Sequence, residues 1–144
     1  MAESDAIHSL GIQLQRGDAA TPESFTAIGE IRSVDPPEMS RDMIDVTHHG
    51  SVQSWEEVIP GILRSGSITF TINLVPSRTM DQQLAADMSD GTKTNWRLIF
   101  PDISTTRIDF TGYVEQFKTG AEIENQLTAD CSIKLTGVPT MFTT

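Results

Sequence analysis

A single cysteine, Cys131, stands among the 144 residues. No disulfide can form within the chain, and a secreted scaffold stapled by cystines is excluded. Long apolar runs are missing too: none approaches the roughly 20 residues that a membrane-spanning helix needs. Met1 to Leu10 lack the basic flank and apolar centre of a secretory leader, so the chain reads as a cytosolic product. Aromatics make up only 6%, and 10 Lys and Arg face 20 Asp and Glu, a formal net charge of -10. Clustered cations that neutralise phosphate are therefore scarce. That argues against direct DNA binding, though not against DNA passing nearby. An acidic surface also serves solubility alone.

Catalytic signatures are equally scarce. His48 and His49 are adjacent, and in an extended segment they point to opposite sides, which is poor geometry for one metal ion. With Asp42 and Asp45 they match no zinc spacing. No Gly-x-Ser-x-Gly elbow and no glycine-rich phosphate cradle with a following Lys occurs. Glu56 and Glu57 read as solvated acids. Cys131 falls on the apolar parity of Leu127, Ala129, Cys131, Ile133 and Leu135, which suits a buried small hydrophobe better than a reactive thiol. Neither an active site nor a metal or cofactor is expected, and function should lie in the surfaces shown to partners.

What is present is alternation. Residues 11–17 form a short alternating segment between glycines, and residues 25–34 form another, closed by Asp35-Pro36-Pro37. In residues 67–74, Ile68, Phe70, Ile72 and Leu74 face a core while Ser67, Thr69, Thr71 and Asn73 face elsewhere. The period then changes. Met80, Leu84, Ala85 and Met88 fall at helical spacing, which predicts a helix over about residues 79–89, with Ser77 or Thr79 as cap and Gly91 as stop. Strands are predicted over residues 95–100, 106–117 and 125–137. Helix follows strand only once, so the expected fold is mainly β: an antiparallel sandwich or barrel with one flanking helix.

Residues 35–66 are the least regular part, although residues 41–47 suit a short strand. Pro36, Pro37, Gly50, Pro60 and Gly61 punctuate the segment, yet it carries Met39, Met43, Trp55, Val58, Ile59, Ile62 and Leu63. So apolar a loop is poorly solvated on its own. It reads as an interaction arm, with a locally collapsed lid as the alternative.

Several blocks in order carry a family resemblance. They are Phe25-Thr26-Ala27-Ile28-Gly29-Glu30-Ile31, Asp42-Met43-Ile44-Asp45-Val46-Thr47-His48-His49-Gly50 and Glu57-Val58-Ile59-Pro60-Gly61-Ile62-Leu63-Arg64-Ser65-Gly66. Phe110-Thr111-Gly112-Tyr113-Val114 and Leu135-Thr136-Gly137-Val138-Pro139 complete the set. Spanning about residues 25–139, the chain resembles the tail tube proteins of long-tailed bacteriophages with non-contractile tails. The type VI secretion tube protein shares that architecture. The resemblance implies hexameric rings stacked into a hollow tube through which genomic DNA passes. It also implies tail terminator, tape measure and distal tail proteins as partners, in a virion tail made in the host bacterial cytoplasm.

One domain over residues 1–144 is expected, with an N-terminal arm (1–24), a long inter-strand loop (35–64) and a C-terminal tail (138–144). Residues 1–24 and 140–144 are expected to be disordered in a free subunit and ordered in the tube. The resemblance makes Met39, Arg41, Met43, Ile44, Val46, His48, Trp55, Val58 and Ile59 candidate ring-to-ring contacts. A lumen that lets DNA slide should be rich in hydroxyls, amides and carboxylates. Ser67, Thr69, Thr71, Asn73, Gln126, Thr128, Asp130, Ser132 and Lys134 are the candidate lining, with Lys134 paired to Asp130 or Asp109. A secretion-system tube carrying protein cargo, and a monomeric β-sandwich binding module, are the competing readings.

Overall fold

Period-two alternation builds most of this molecule, and a computed structural model describes it for residues 11–121, 123 and 126–143. The strands are β1 (Gln13–Gly17), β2 (Phe25–Ala27), β3 (Ile31–Asp35), β4 (Ser40–Asp45), β5 (Val58–Arg64), β6 (Ser67–Asn73), β7 (Thr94–Ile99), β8 (Arg107–Gly120) and β9 (Thr128–Thr143). One helix, α1 (Thr79–Asp90), joins them. Strands hold 53% of the described residues, so the fold is mainly β and antiparallel, as the alternation implied. Seven strands form one sheet in the order β2-β1-β7-β8-β9-β6-β3, while β4 and β5 pair only with each other.

The inward parities meet across the sheet in register. Ile68, Phe70 and Ile72 stand opposite Ile133, Cys131 and Ala129, and Trp96 and Leu98 stand opposite Phe110 and Ile108. All of these belong to one buried cluster, joined by Leu14, Ile28 and Leu84. Both halves of the sheet therefore close on the same core. The closure is made by the chain itself: β2 and β3 lie at opposite edges, yet only Ile28, Gly29 and Glu30 separate them. Ile28 N–H donates to the Leu14 carbonyl and Asn73 N–H to the Glu30 carbonyl, each at 2.8 Å. Residues 25–34 are thus not the single strand that their alternation suggests. They form two short strands, turning a corner from one half to the other.

Two irregularities keep the core apolar. A register shift between Val114 and Gln116 switches the inward parity of β8 from even to odd residues, so that Phe117 lies opposite Cys131. At Gly112 the neighbouring strand is so close that a Cβ would meet the Lys134 carbonyl oxygen. The buried Trp96 also donates its indole N–H to the Gly112 carbonyl at 3.3 Å.

Helix α1 packs on β8 and differs from its expected form. Leu84 is buried, but Met88 is exposed, and the other residues buried on α1 are Asp81 and Asp87. Arg16, on the inward parity of β1, holds Asp87 through two hydrogen bonds of 2.6 and 2.8 Å. Neither Ser77 nor Thr79 caps the helix: Arg78 occupies that position without a side-chain bond, and the Asp81 carboxylate accepts the Val75 N–H at 2.9 Å. Gly91, at φ 65°, ends the helix as expected.

The arms also depart from expectation. Residues 35–64 contain a β-hairpin rather than a loop, and residues 138–143 are the end of β9, bulged at Gly137 and paired through Thr140 with Asp109. Within the expected N-terminal arm, β1 is a sheet strand, and residues 140–143 of the expected tail lie in β9. The expectations for residues 1–10, Asn125 and Thr144 lie outside the described residues.

Candidate interaction surfaces

The first surface is the β4–β5 hairpin. Ser40 pairs with Arg64 at its base, Ile44 with Ile59 on one face, and Met43 with Pro60 on the other. Every candidate contact residue, from Met39, Arg41, Met43, Ile44, Val46 and His48 to Trp55, Val58 and Ile59, is solvent-exposed here. Val52, Ile62 and Leu63 join them, with Trp55 at 71% exposure. A two-stranded ribbon with apolar side chains on both faces has no core of its own. Its geometry therefore invites a partner.

Polar bonds hold the ribbon in shape. Arg64 clasps Asp42 through Nη2 at 2.9 Å and Nε at 3.2 Å, and these bonds hold the Asp42 carboxyl below its ordinary value. Asp45 is lowered likewise by its bonds to Thr47. At the tip, Glu57 N–H donates to Thr47 Oγ1 at 2.8 Å, and Ser51 Oγ donates to Glu57 Oε2 at 2.8 Å. His48 accepts the Gly50 N–H through Nδ1 at 3.0 Å and places Nε2 3.5 Å from Glu57. Both of its ring nitrogens thus face protein groups rather than a shared ligand site with His49.

The second surface is the non-core face of β3, β6, β9 and β8. The two polar rows meet pairwise: Ser67 with Lys134, Thr69 with Ser132, Thr71 with Asp130 and Asn73 with Thr128. Thr71 Oγ1 donates to Asp130 at 2.8 Å. Ser33 and Asp35 extend the face on β3, and Gln116 and Lys118 extend it on β8. Those four residues were not foreseen, because their neighbours become visible only once strand order is known.

Three details change. Gln126 precedes β9 and is not part of the paired row. Ser132 is buried, because the β8 bulge brings Glu115 over it to accept its hydroxyl at 2.8 Å. Asp109 is taken by Arg97 and Arg107, at 3.0 and 3.3 Å, rather than by Lys134, and Asp130 is engaged by Thr71.

Among the described residues no group of three or more His, Cys, Asp or Glu is placed to hold a metal ion, and no helix is long and apolar enough to cross a membrane. What the geometry offers is a barrel-like β core, a projecting ribbon and a broad polar face. Comparisons give this architecture its class. The family model for lambda phage tail tube proteins matches residues 15–142. The chain therefore belongs to the lambda phage tail tube protein family, and it is a structural, tube-forming component of the virion tail. No curated protein matches the sequence.

Solved structures share the fold at low identity. The tail of an empty gene transfer agent particle, refined with C6 symmetry, is similar at 15% identity with a TM-score of 0.78, covering 96% of this chain and 100% of that one. The SPP1 tail tube gives 11% and 0.73, covering 94% and 80%. The tube-terminating cap of the anti-feeding prophage gives 10% and 0.74, covering 100% and 95%.

Proposed function

We propose that this chain forms six-membered rings that stack into a hollow tail tube, through which genomic DNA slides without specific binding. The observation that carries the reading is the β4–β5 ribbon, whose apolar side chains are exposed on both strands and both faces. In this proposal the ribbon bonds one ring to the next. The free edges of β2 and β3 expose unpaired backbone groups that neighbouring subunits satisfy when the ring closes. Six-fold symmetry follows the gene transfer agent tail, and a capping partner follows the anti-feeding prophage cap. Tail terminator, tape measure and distal tail proteins are the corresponding partners here.

The paired polar face of β6 and β9 is the proposed lumen lining. It mixes hydroxyls with Asp35, Glu115 and Asp130 on one side of the charge balance and Lys118 and Lys134 on the other. Such a surface offers no run of cations for phosphates to settle on. The chain then acts as a conduit and not as an enzyme.

A deletion tests the ribbon. Removing residues 41–63 and rejoining the paired ends Ser40 and Arg64 through a short glycine linker leaves the seven-stranded sheet untouched. The expected product is a folded subunit that no longer stacks, judged by circular dichroism and negative-stain electron microscopy. Tubes that persist in this variant rule out the ribbon as the ring-to-ring contact.

A further inference from the structure

Between the hairpin base and the C-terminal half of β9 lies a groove of about 1040 Å³. Its lining includes Met39 and Leu63 on the hairpin side, Val138, Pro139 and Met141 on the β9 side, and Lys134 at the rim. The groove exists because β6 begins at Ser67 and pairs with β9 only up to Lys134. Beyond that point β9 continues alone on this side, while the hairpin swings away. Val138, at 94% exposure, projects from the Gly137 bulge. A strand cannot add here continuously, since Pro139 lacks an N–H and the bulges break the register. The site suits side chains rather than a β-strand.

Resting on the tube reading, we propose that this groove receives the hairpin tip of a second copy of the chain, with Trp55 as the anchor. Three observations favour that occupant. The tip carries Trp55 at 71% exposure, the largest exposed apolar side chain on the ribbon, together with Val52 at 70%. An aromatic anchor seated in a pocket is the usual centre of a protein contact. Charge agrees as well: Asp45, Glu56 and Glu57 make the tip acidic, while the groove holds Lys134, which makes no ion pair among the described residues, beside Glu38 and an Arg64 already bonded to Asp42.

Reach excludes the chain's own tip. The groove lies at the Ser40–Arg64 base, and the tip lies beyond the Asp45–Val58 pair. Six residues of strand separate them, roughly 20 Å. The tip is also prefolded by the Thr47, Ser51 and Glu57 bonds, so little ordering is lost when it docks. Because donor and acceptor patches differ, the contact is heterologous and propagates from copy to copy.

Crosslinking tests the pairing. Cys131 is buried, so the W55C/V138C variant presents two accessible thiols, each alien to the natural surface. Under oxidation the assembled variant should give a ladder of covalently linked chains, while W55C or V138C alone should give nothing beyond dimers. Tubes that form without a ladder, or a linked species that stays monomeric, overturn the proposal while leaving the tube reading intact. A wild-type chain that remains monomeric at every concentration overturns both.

A second readout does not need the double variant to assemble. Trp96 is buried and Trp55 exposed, so iodide quenching of tryptophan fluorescence reports mainly on Trp55. Assembly of the wild-type chain should reduce the quenching several-fold. V138D changes an exposed side chain and should fold normally, yet it should weaken association at least about tenfold and leave Trp55 quenchable. Full protection of Trp55 in V138D overturns the proposal.

Discussion

Arg16 and Asp87, 71 residues apart, make a two-point ion pair that ties β1 to α1, with the carboxylate 1% exposed. Removing one partner leaves the other charged group in a site built for a pair. R16M and D87L are each expected to cost about 3 kcal/mol in urea unfolding of the unassembled chain. The R16M/D87L double variant should recover part of that loss, since no buried charge is then stranded. Additive losses in the double variant contradict this account of how the helix is held.

Gly112 tolerates no side chain. Its Cβ would press on the Lys134 carbonyl and lie 3.0 Å from Ile133 Cγ2, so β8 and β9 must separate to admit it. G112A is expected to lose about 1–3 kcal/mol, with reduced protection of Trp96 seen as a red shift in its fluorescence. An unchanged urea midpoint in G112A rules out the close approach.

Burial pushes the Cys131 thiol up to about 12 from an ordinary 9.0, with the Asp130 and Asp81 charges adding to the shift. The unfolded chain therefore releases this proton before the folded one does. Between about pH 9 and pH 12 the folded form binds more protons, so stability falls across that window. At pH 8 the native thiol should resist a disulfide reagent and react only on unfolding. Rapid labelling of the native chain contradicts the burial.

The hairpin responds to acid. Asp42 and Asp45 titrate below their ordinary 3.8 because Arg64 and Thr47 bond their charged forms. A depressed carboxyl stabilises the fold above its unfolded value, and the contribution is lost as pH falls through the folded one. Below about pH 3.8, hydrogen exchange at residues 40–64 should accelerate before exchange in β6 and β9 does. Simultaneous exchange of hairpin and core contradicts an independently held ribbon.

How much of this was legible depends on whether a residue's role was local. β6 and β7 could be read directly, because Ile68, Phe70 and Ile72, or Trp96 and Leu98, alternate without interruption. The exposed apolar residues of the ribbon were legible as apolar side chains in a punctuated segment. Its hairpin form was not: exposure on both faces erases the alternation, and Pro60 and Gly61 sit inside β5. The strand predicted over residues 125–137 ends at Gly137, but Gly137 and Pro139 occupy a bulge in a strand that continues. Asp81 and Asp87 were hidden because a buried carboxylate looks polar until Val75 or Arg16 is known to meet it. Residues 25–34 misled for a related reason, since no local pattern says that one segment serves both edges of a sheet.

Cryo-electron microscopy of the purified, assembled chain tests the central claim most directly. The account predicts hollow tubes of stacked six-fold rings. The polar face carrying Thr69, Thr71 and Asp130 should line the channel, and the β4–β5 ribbon should cross from each ring to the next. Dispersed monomers at high concentration, or tubes whose ribbons point into solvent, would contradict it.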